Sequence, residues 1–106
     1  VAEVVAVRGN NDLGEWARAL PKVKVIDVDG AQIAVVHILR DLSRNIADVD
    51  CVISGHSHMA SVKRKNGMLY LNPGTAGARR FGKHPTVALL RVHEVSLDAE
   101  IIRLRI

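Results

Sequence analysis

Two dipeptides limit this chain's fold more than anything else in it. Asp29-Gly30 stands between the alternating runs "KVKVIDV" and "AQIAVVH", and Asn66-Gly67 stands between "SVKRK" and "MLYLNPG". Both suit the left-handed backbone of a two-residue hairpin turn, whose twist matches that of the strands it joins. Each therefore predicts an antiparallel hairpin, the second running on into a Pro-Gly loop. "TVALLRVHEV" and "AEIIRLRI" read as a third, closing hairpin. Between the first two lies "VDCVISG", apolar without alternation, which predicts a strand covered on both faces.

Helices are fewer. Leu13, Trp16, Ala17 and Leu20 recur on one side of a short helix over 13–20, with Asp12 placed to cap it and Pro21 to stop it. A weaker helical pattern spans 40–47. Residues 2–7 ("AEVVAV") form a further β-rich run ending in the turn-prone "RGNND". Without repeats, low-complexity segments or linkers, the expected fold is α/β and layered, one domain over 1–106. A chain of 106 residues, 48% of them hydrophobic, buries roughly two-thirds of its unfolded surface. No apolar run approaches the ~20 residues of a membrane span, and no leader pattern argues for export, so the expected location is cytoplasmic and no membrane partner is expected. Cys51, the single cysteine, sits in the apolar run and reads as a buried thiol in a reducing compartment.

The formal charge is +4, with basic residues gathered at Lys63, Arg64 and Lys65, at Arg79, Arg80 and Lys83, and at Arg103 and Arg105. Three aromatic residues (Trp16, Tyr70, Phe81) offer few stacking platforms, which argues against nucleic acid as partner. A solvated basic face, or attraction to a phosphorylated small molecule, accounts for the same charge.

Polar clusters recur where strands are expected to end: "GNND" at 9–12, His37 closing "AVVH", "GHSH" at 55–58 and "NPGTAGARR" at 72–80. Open α/β sheets place their sites at such strand ends. If 56–58 is extended, His56 and His58 point to the same side, with Gly55 giving the freedom to turn. Imidazole suits zinc, manganese, iron or nickel, and an Asn10 oxygen would complement His37, His56 and His58. A lone His-x-His also arises by accident on surface strands. His84 beside Pro85 reads as a loop residue, His93 as a surface or core-edge residue, and "NPG" alone as a turn. Arg79 and Arg80 beside Gly77 either hold a phosphate through charge-assisted bonds or are simply exposed.

The ordered set "AVRGNND", a hairpin leading to a His, "VISGHSHMA" and "YLNPGTAGARR" resembles the calcineurin-like metallophosphoesterase superfamily, in particular its small bacterial and archaeal phosphodiesterases. The resemblance covers essentially the whole chain. It implies a layered β-sandwich flanked by helices, with a two-metal site at the strand ends. By position, Asn10, His37 and His56 resemble ligands of the second metal and His58 a ligand of the first. Asn11 takes the place where many members carry a catalytic His and the small members often a Cys; it donates a hydrogen bond but cannot act as a general acid near neutral pH. Ile38 follows His37 where a Gly is common.

The family pattern begins with Asp-x-His and Gly-Asp, which supply first-metal ligands and the bridging carboxylate, whereas this chain opens at Val1 in the strand preceding the Asn motif. The expectation is thus an N-terminally incomplete fold with an incomplete two-metal site. Two dipositive ions about 3.5–4 Å apart repel by on the order of 20 kcal/mol at an effective dielectric of about 20, so a neutral ligand set holds one ion at most. Asp12 and Asp41 lie near ligand positions without taking the bridging place. An unpaired edge at 2–7 would recruit a second copy as a homodimer. The function implied is metal-dependent hydrolysis of a phosphodiester or phosphomonoester. The alternative is a catalytically inactive binding or scaffold module, as in the phosphoesterase-like subunit of retromer.

Overall fold

The computed structural model describes residues 6–7, 14, 19–39, 42, 48–76, 84–94 and 96–105. Its strands are β1 (Val23–Val28), β2 (Ala31–Val36), β3 (Cys51–Ser54), β4 (Ser61–Lys65), β5 (Met68–Asn72), β6 (Thr86–His93) and β7 (Ser96–Arg103). All three expected hairpins form. Val28 pairs with Ala31 and Lys65 with Met68, leaving two-residue loops. Asp29, Gly30, Asn66 and Gly67 all have positive φ, at 48°, 86°, 51° and 77°. That conformation is what Asn, Asp and Gly tolerate and β-branched residues do not. The third hairpin pairs β6 with β7 from Thr86↔Arg103 to His93↔Ser96.

The larger sheet has the order β1-β2-β3-β5-β4. Its middle strands β2, β3 and β5 run parallel, with β1 and β4 added antiparallel on the outside. Parallel neighbours have their carboxyl ends on one edge, so His37, the loop after β3 and the loop after β5 leave the sheet together. Asp50 anchors the opposite end: its carboxylate accepts from the Gln32 amide at 2.8 Å, and its carbonyl accepts from the Leu69 amide at 3.1 Å. A parallel crossover of the kind joining β2 to β3 usually contains a helix. The helices expected at 13–20 and 40–47 lie mostly outside the described residues, as does most of the strand expected at 2–7. Among the described residues no helix is long and apolar enough to cross a membrane.

Alternation along β2 and β3 divides the core between two faces. Ala31, Ile33, Cys51 and Leu69 point to one face, and Leu97, with Leu90, Val92 and Ala99, packs onto them from the β6–β7 hairpin. This is sheet on sheet. Arg64 on β4 reinforces the join by donating from its guanidinium to the Leu97 carbonyl. Ala34, Val36 and Val52 point to the other face, against Val23, Leu42, Val49, Met68 and Tyr70. Among the described residues, Leu69, Val36, Val52 and Cys51 are the largest side chains wholly buried. Burying each of the first three stabilises by roughly 1.5–3 kcal/mol. The Arg91 pairs with Asp98 and Glu100 lie on the exposed side of the hairpin, where water screens them. They favour the register more than the fold.

Candidate functional site

Cys51 to Ser54 is a central strand, and Ser54 is its last residue. One further parallel bond extends the pairing past it, from the Gly55 amide to the His37 carbonyl at 3.0 Å. This bond sets His37 beside the start of "GHSH". The extended geometry expected to carry His56 and His58 to one side is not adopted. Both are left-handed, at φ 69° and 61°, and it is they, not Gly55, that turn the chain. The strand's ladder has already ended at Gly55, so nothing holds the following residues extended. The Ser57 amide instead closes back on the Gly55 carbonyl at 2.9 Å.

This turn brings His56 to His37. His56 Nδ1 lies 3.3 Å from His37 Nε2, with the rings edge to face at 78° and their centroids 5.2 Å apart. One neutral imidazole donating to the other gives such a contact, and so does a shared cation. Two nitrogens bound at about 2.0–2.1 Å with a tetrahedral angle between them stand about 3.3–3.4 Å apart. The pair therefore has the spacing of two ligands on one ion. His58 adds a second sign, for its Nδ1 is buried with no hydrogen-bond partner among the described residues, an arrangement that costs free energy unless a donor or cation meets it. Yet among the described residues no three His, Cys, Asp or Glu side chains are grouped so as to hold a metal. The donor chemistry fits a borderline divalent ion in part: His37 and His56 as neighbouring ligands, with further donors needed. Asn10, Asn11, Arg79 and Arg80 lie outside the described residues, as do Asp12 and Asp41.

The loop's shape is held from β5 by a residue that reading the sequence passed over. The side-chain amide of Asn72, a buried position, donates to the Gly55 carbonyl at 3.2 Å and to Ser57 Oγ at 3.0 Å. Its oxygen accepts from the Gly74 amide at 2.9 Å. Asn72 thus spends both kinds of hydrogen-bonding group joining two loops. Gly74 and Thr86 extend the tie to the second sheet: Thr86 Oγ1 donates to the Pro73 carbonyl at 2.7 Å and the Thr86 amide to the Thr75 carbonyl at 2.8 Å. What reads as a mere turn in "NPG" is a strut between the candidate centre and β6. Its only sequence signal is an Asn at the end of a buried strand, where a polar side chain must find partners.

Other expectations fare simply. His84 is exposed and outside any strand, and His93 ends β6 at an exposed position. Cys51 is buried, and that burial pushes its thiol up to about 11. It is a packing residue, not a nucleophile.

Residues 1–95 match the sequence model of the calcineurin-like phosphoesterase superfamily domain. A probable metallophosphoesterase of Methanothermobacter thermautotrophicus is 30% identical over 113 aligned residues, covering 97% of this chain and 64% of that protein. The chain therefore spans less than two-thirds of that relative's length. Among solved structures, Vps29 of Chaetomium thermophilum superposes with a TM-score of 0.77 at 26% identity, over 93% of this chain and 57% of that one. The wild-type Vps29 of Entamoeba histolytica complexed with zinc gives 0.69 at 25% identity, over 96% and 69%.

Proposed function

The chain belongs to the calcineurin-like phosphoesterase superfamily, and on that premise we propose that it hydrolyses a phosphodiester or phosphomonoester with the help of a divalent cation. The observation carrying this reading is the His37–His56 pair at ligand spacing on the edge where three parallel strands end. A cation there supplies positive charge and Lewis-acid polarisation to the transferring phosphoryl group. His37 and His56 would hold it, with Asn10 as a further donor, while His58, not grouped with that pair, would belong to the first-metal position; zinc, manganese, iron and nickel all suit imidazole. Asn72 and Ser57 keep the His56 turn in place, so that the imidazoles need little reorganisation on loading. Asn11 would donate a hydrogen bond to a phosphoryl oxygen, and Arg79 and Arg80 would bind the phosphate by charge-assisted bonds.

Hydrolysis of bis-p-nitrophenyl phosphate with added manganese tests this, comparing the protein with His56→Ala. Manganese-dependent turnover lost in the variant supports the reading. Turnover unchanged in His56→Ala refutes the assignment of the site. The second reading, a binding or scaffold module without turnover, is favoured by the likeness to Vps29. Metal retained without turnover selects it.

A further inference from the structure

A cavity of about 910 Å³ is lined by His56 and Ser57 after β3 and by Ser61, Lys63, Arg64 and Lys65 of β4. It is contiguous with the candidate centre without being part of the ligand set. Strand alternation decides what faces it. Ser61, Lys63 and Lys65 pair with Asn72, Tyr70 and Met68, and Tyr70 and Met68 pack on the face that carries Val52; Arg64, which also lines the cavity, is engaged by donating to the Leu97 carbonyl. At about 3.4 Å per residue, Lys63 stands about 7 Å and Lys65 about 14 Å along β4 from Ser61. No acidic side chain is among the described residues that line the cavity, and neither lysine forms an ion pair among the described residues. Leu39 and the half-buried Tyr70 make the wall between apolar.

We propose that this cavity seats the organic arm of a phosphoester substrate, and that Lys63 and Lys65 bind a second anionic group, a phosphate or carboxylate, carried by that arm. The proposal rests on the phosphoesterase reading for its chemistry but on the cavity alone for its specificity. An apolar wall with Tyr70 suits a planar or sugar-linked arm, and two ammonium groups without an ion pair among the described residues favour a dianionic compound over a neutral-armed ester. The substrate class is thus a phosphodiester whose organic arm carries a second negative charge.

Two p-nitrophenyl esters differing only in that charge provide the test: the 5′-p-nitrophenyl ester of thymidine 5′-monophosphate and that of thymidine 3′,5′-bisphosphate. With manganese, the bisphosphate ester should show the higher kcat/KM. Lys63→Ala with Lys65→Ala should erase the difference, lowering kcat/KM for the bisphosphate ester about fivefold for each lysine. Lys63→Arg with Lys65→Arg should restore it. Equal kcat/KM for the two esters, or a preference that survives the double alanine variant, overturns the proposal. Calorimetric titration of the metal-free protein with thymidine 3′,5′-bisphosphate is the second arm. If neither ester turns over, the phosphoesterase reading fails by itself, and the titration decides the cavity: binding weakened in the alanine variant sustains it, and binding absent or unchanged sinks it.

Discussion

Replacing Gly74 with alanine is the sharpest probe of how the candidate site is tied to the second sheet. Gly74 has a φ of 83°, and a methyl group built there falls inside contact distance of Thr86 Oγ1 and 3.2 Å from Ala60 Cβ. Left-handed backbone costs a residue with a Cβ about 1–2 kcal/mol. Pushing Thr86 aside breaks its bond to the Pro73 carbonyl, about 1 kcal/mol more, and overpacking adds about 1–3 kcal/mol. Gly74→Ala should therefore lose about 3–6 kcal/mol, a large part of the roughly 5–15 kcal/mol that holds a domain together. Gly67→Ala is the control. Its φ is 77° but a methyl there meets nothing within 4 Å, so only the backbone cost of about 1–2 kcal/mol applies. Urea midpoints at constant m measure both. Thr86→Ala should in turn rescue part of the Gly74→Ala loss, giving a coupling of at least about 1 kcal/mol in the double-mutant cycle, and the double variant keeps the test alive if Gly74→Ala alone does not fold. A Gly74→Ala loss no larger than the Gly67→Ala loss, or strict additivity with Thr86→Ala, refutes the reasoning.

Asn72→Ala removes two donated bonds and one accepted bond at a buried position, and should cost about 2–4 kcal/mol. It should also raise amide exchange at Ser57, measured by hydrogen exchange; unchanged protection there would mean the turn holds its shape unaided. Cys51 should resist thiol reagents at pH 8, because a thiol pushed up to about 11 is about one part in a thousand thiolate there. Its raised value also favours the folded state below an ordinary value of 9.0, an advantage lost as pH rises from there through about 11. Native-state labelling as fast as that of the urea-unfolded chain would contradict its burial.

Two of the three hairpins are legible because two-residue turns demand φ values that few residue types reach; the third is legible only from its two apolar runs, and its turn falls earlier than they suggest, with His93 paired to Ser96 and Glu94 at a φ of 48°. Asp29-Gly30 and Asn66-Gly67 therefore announce both the turn and the register around it. The central strand is legible for a different reason: "VDCVISG" carries no polar face to expose, and Cys51 and Val52 are indeed wholly buried on opposite sides. The site was legible as a set of residue types but not as geometry. Alternation predicts a common side for His56 and His58 only while the chain is extended, and the hydrogen bonding that ends at Gly55 is a property of its neighbours in space. For the same reason Asn72 and Lys63 read as a turn residue and a solvated charge. Strand alternation says which residues share a face, but not which stretch of that face stands open beside a cavity.

The left-handed backbone at positions 56 and 58 acts as a filter before any chemistry is considered. Glycine, asparagine and aspartate enter that region readily, whereas valine, isoleucine and threonine do so only under strain. Drift at these two positions should then run toward short amides and carboxylates or toward no side chain at all. An aspartate there would exchange a neutral donor for a charged one without moving the chain. The fold thus leaves open an inexpensive evolutionary route to a different cation preference, through a change of ligand charge at a conformation already in place.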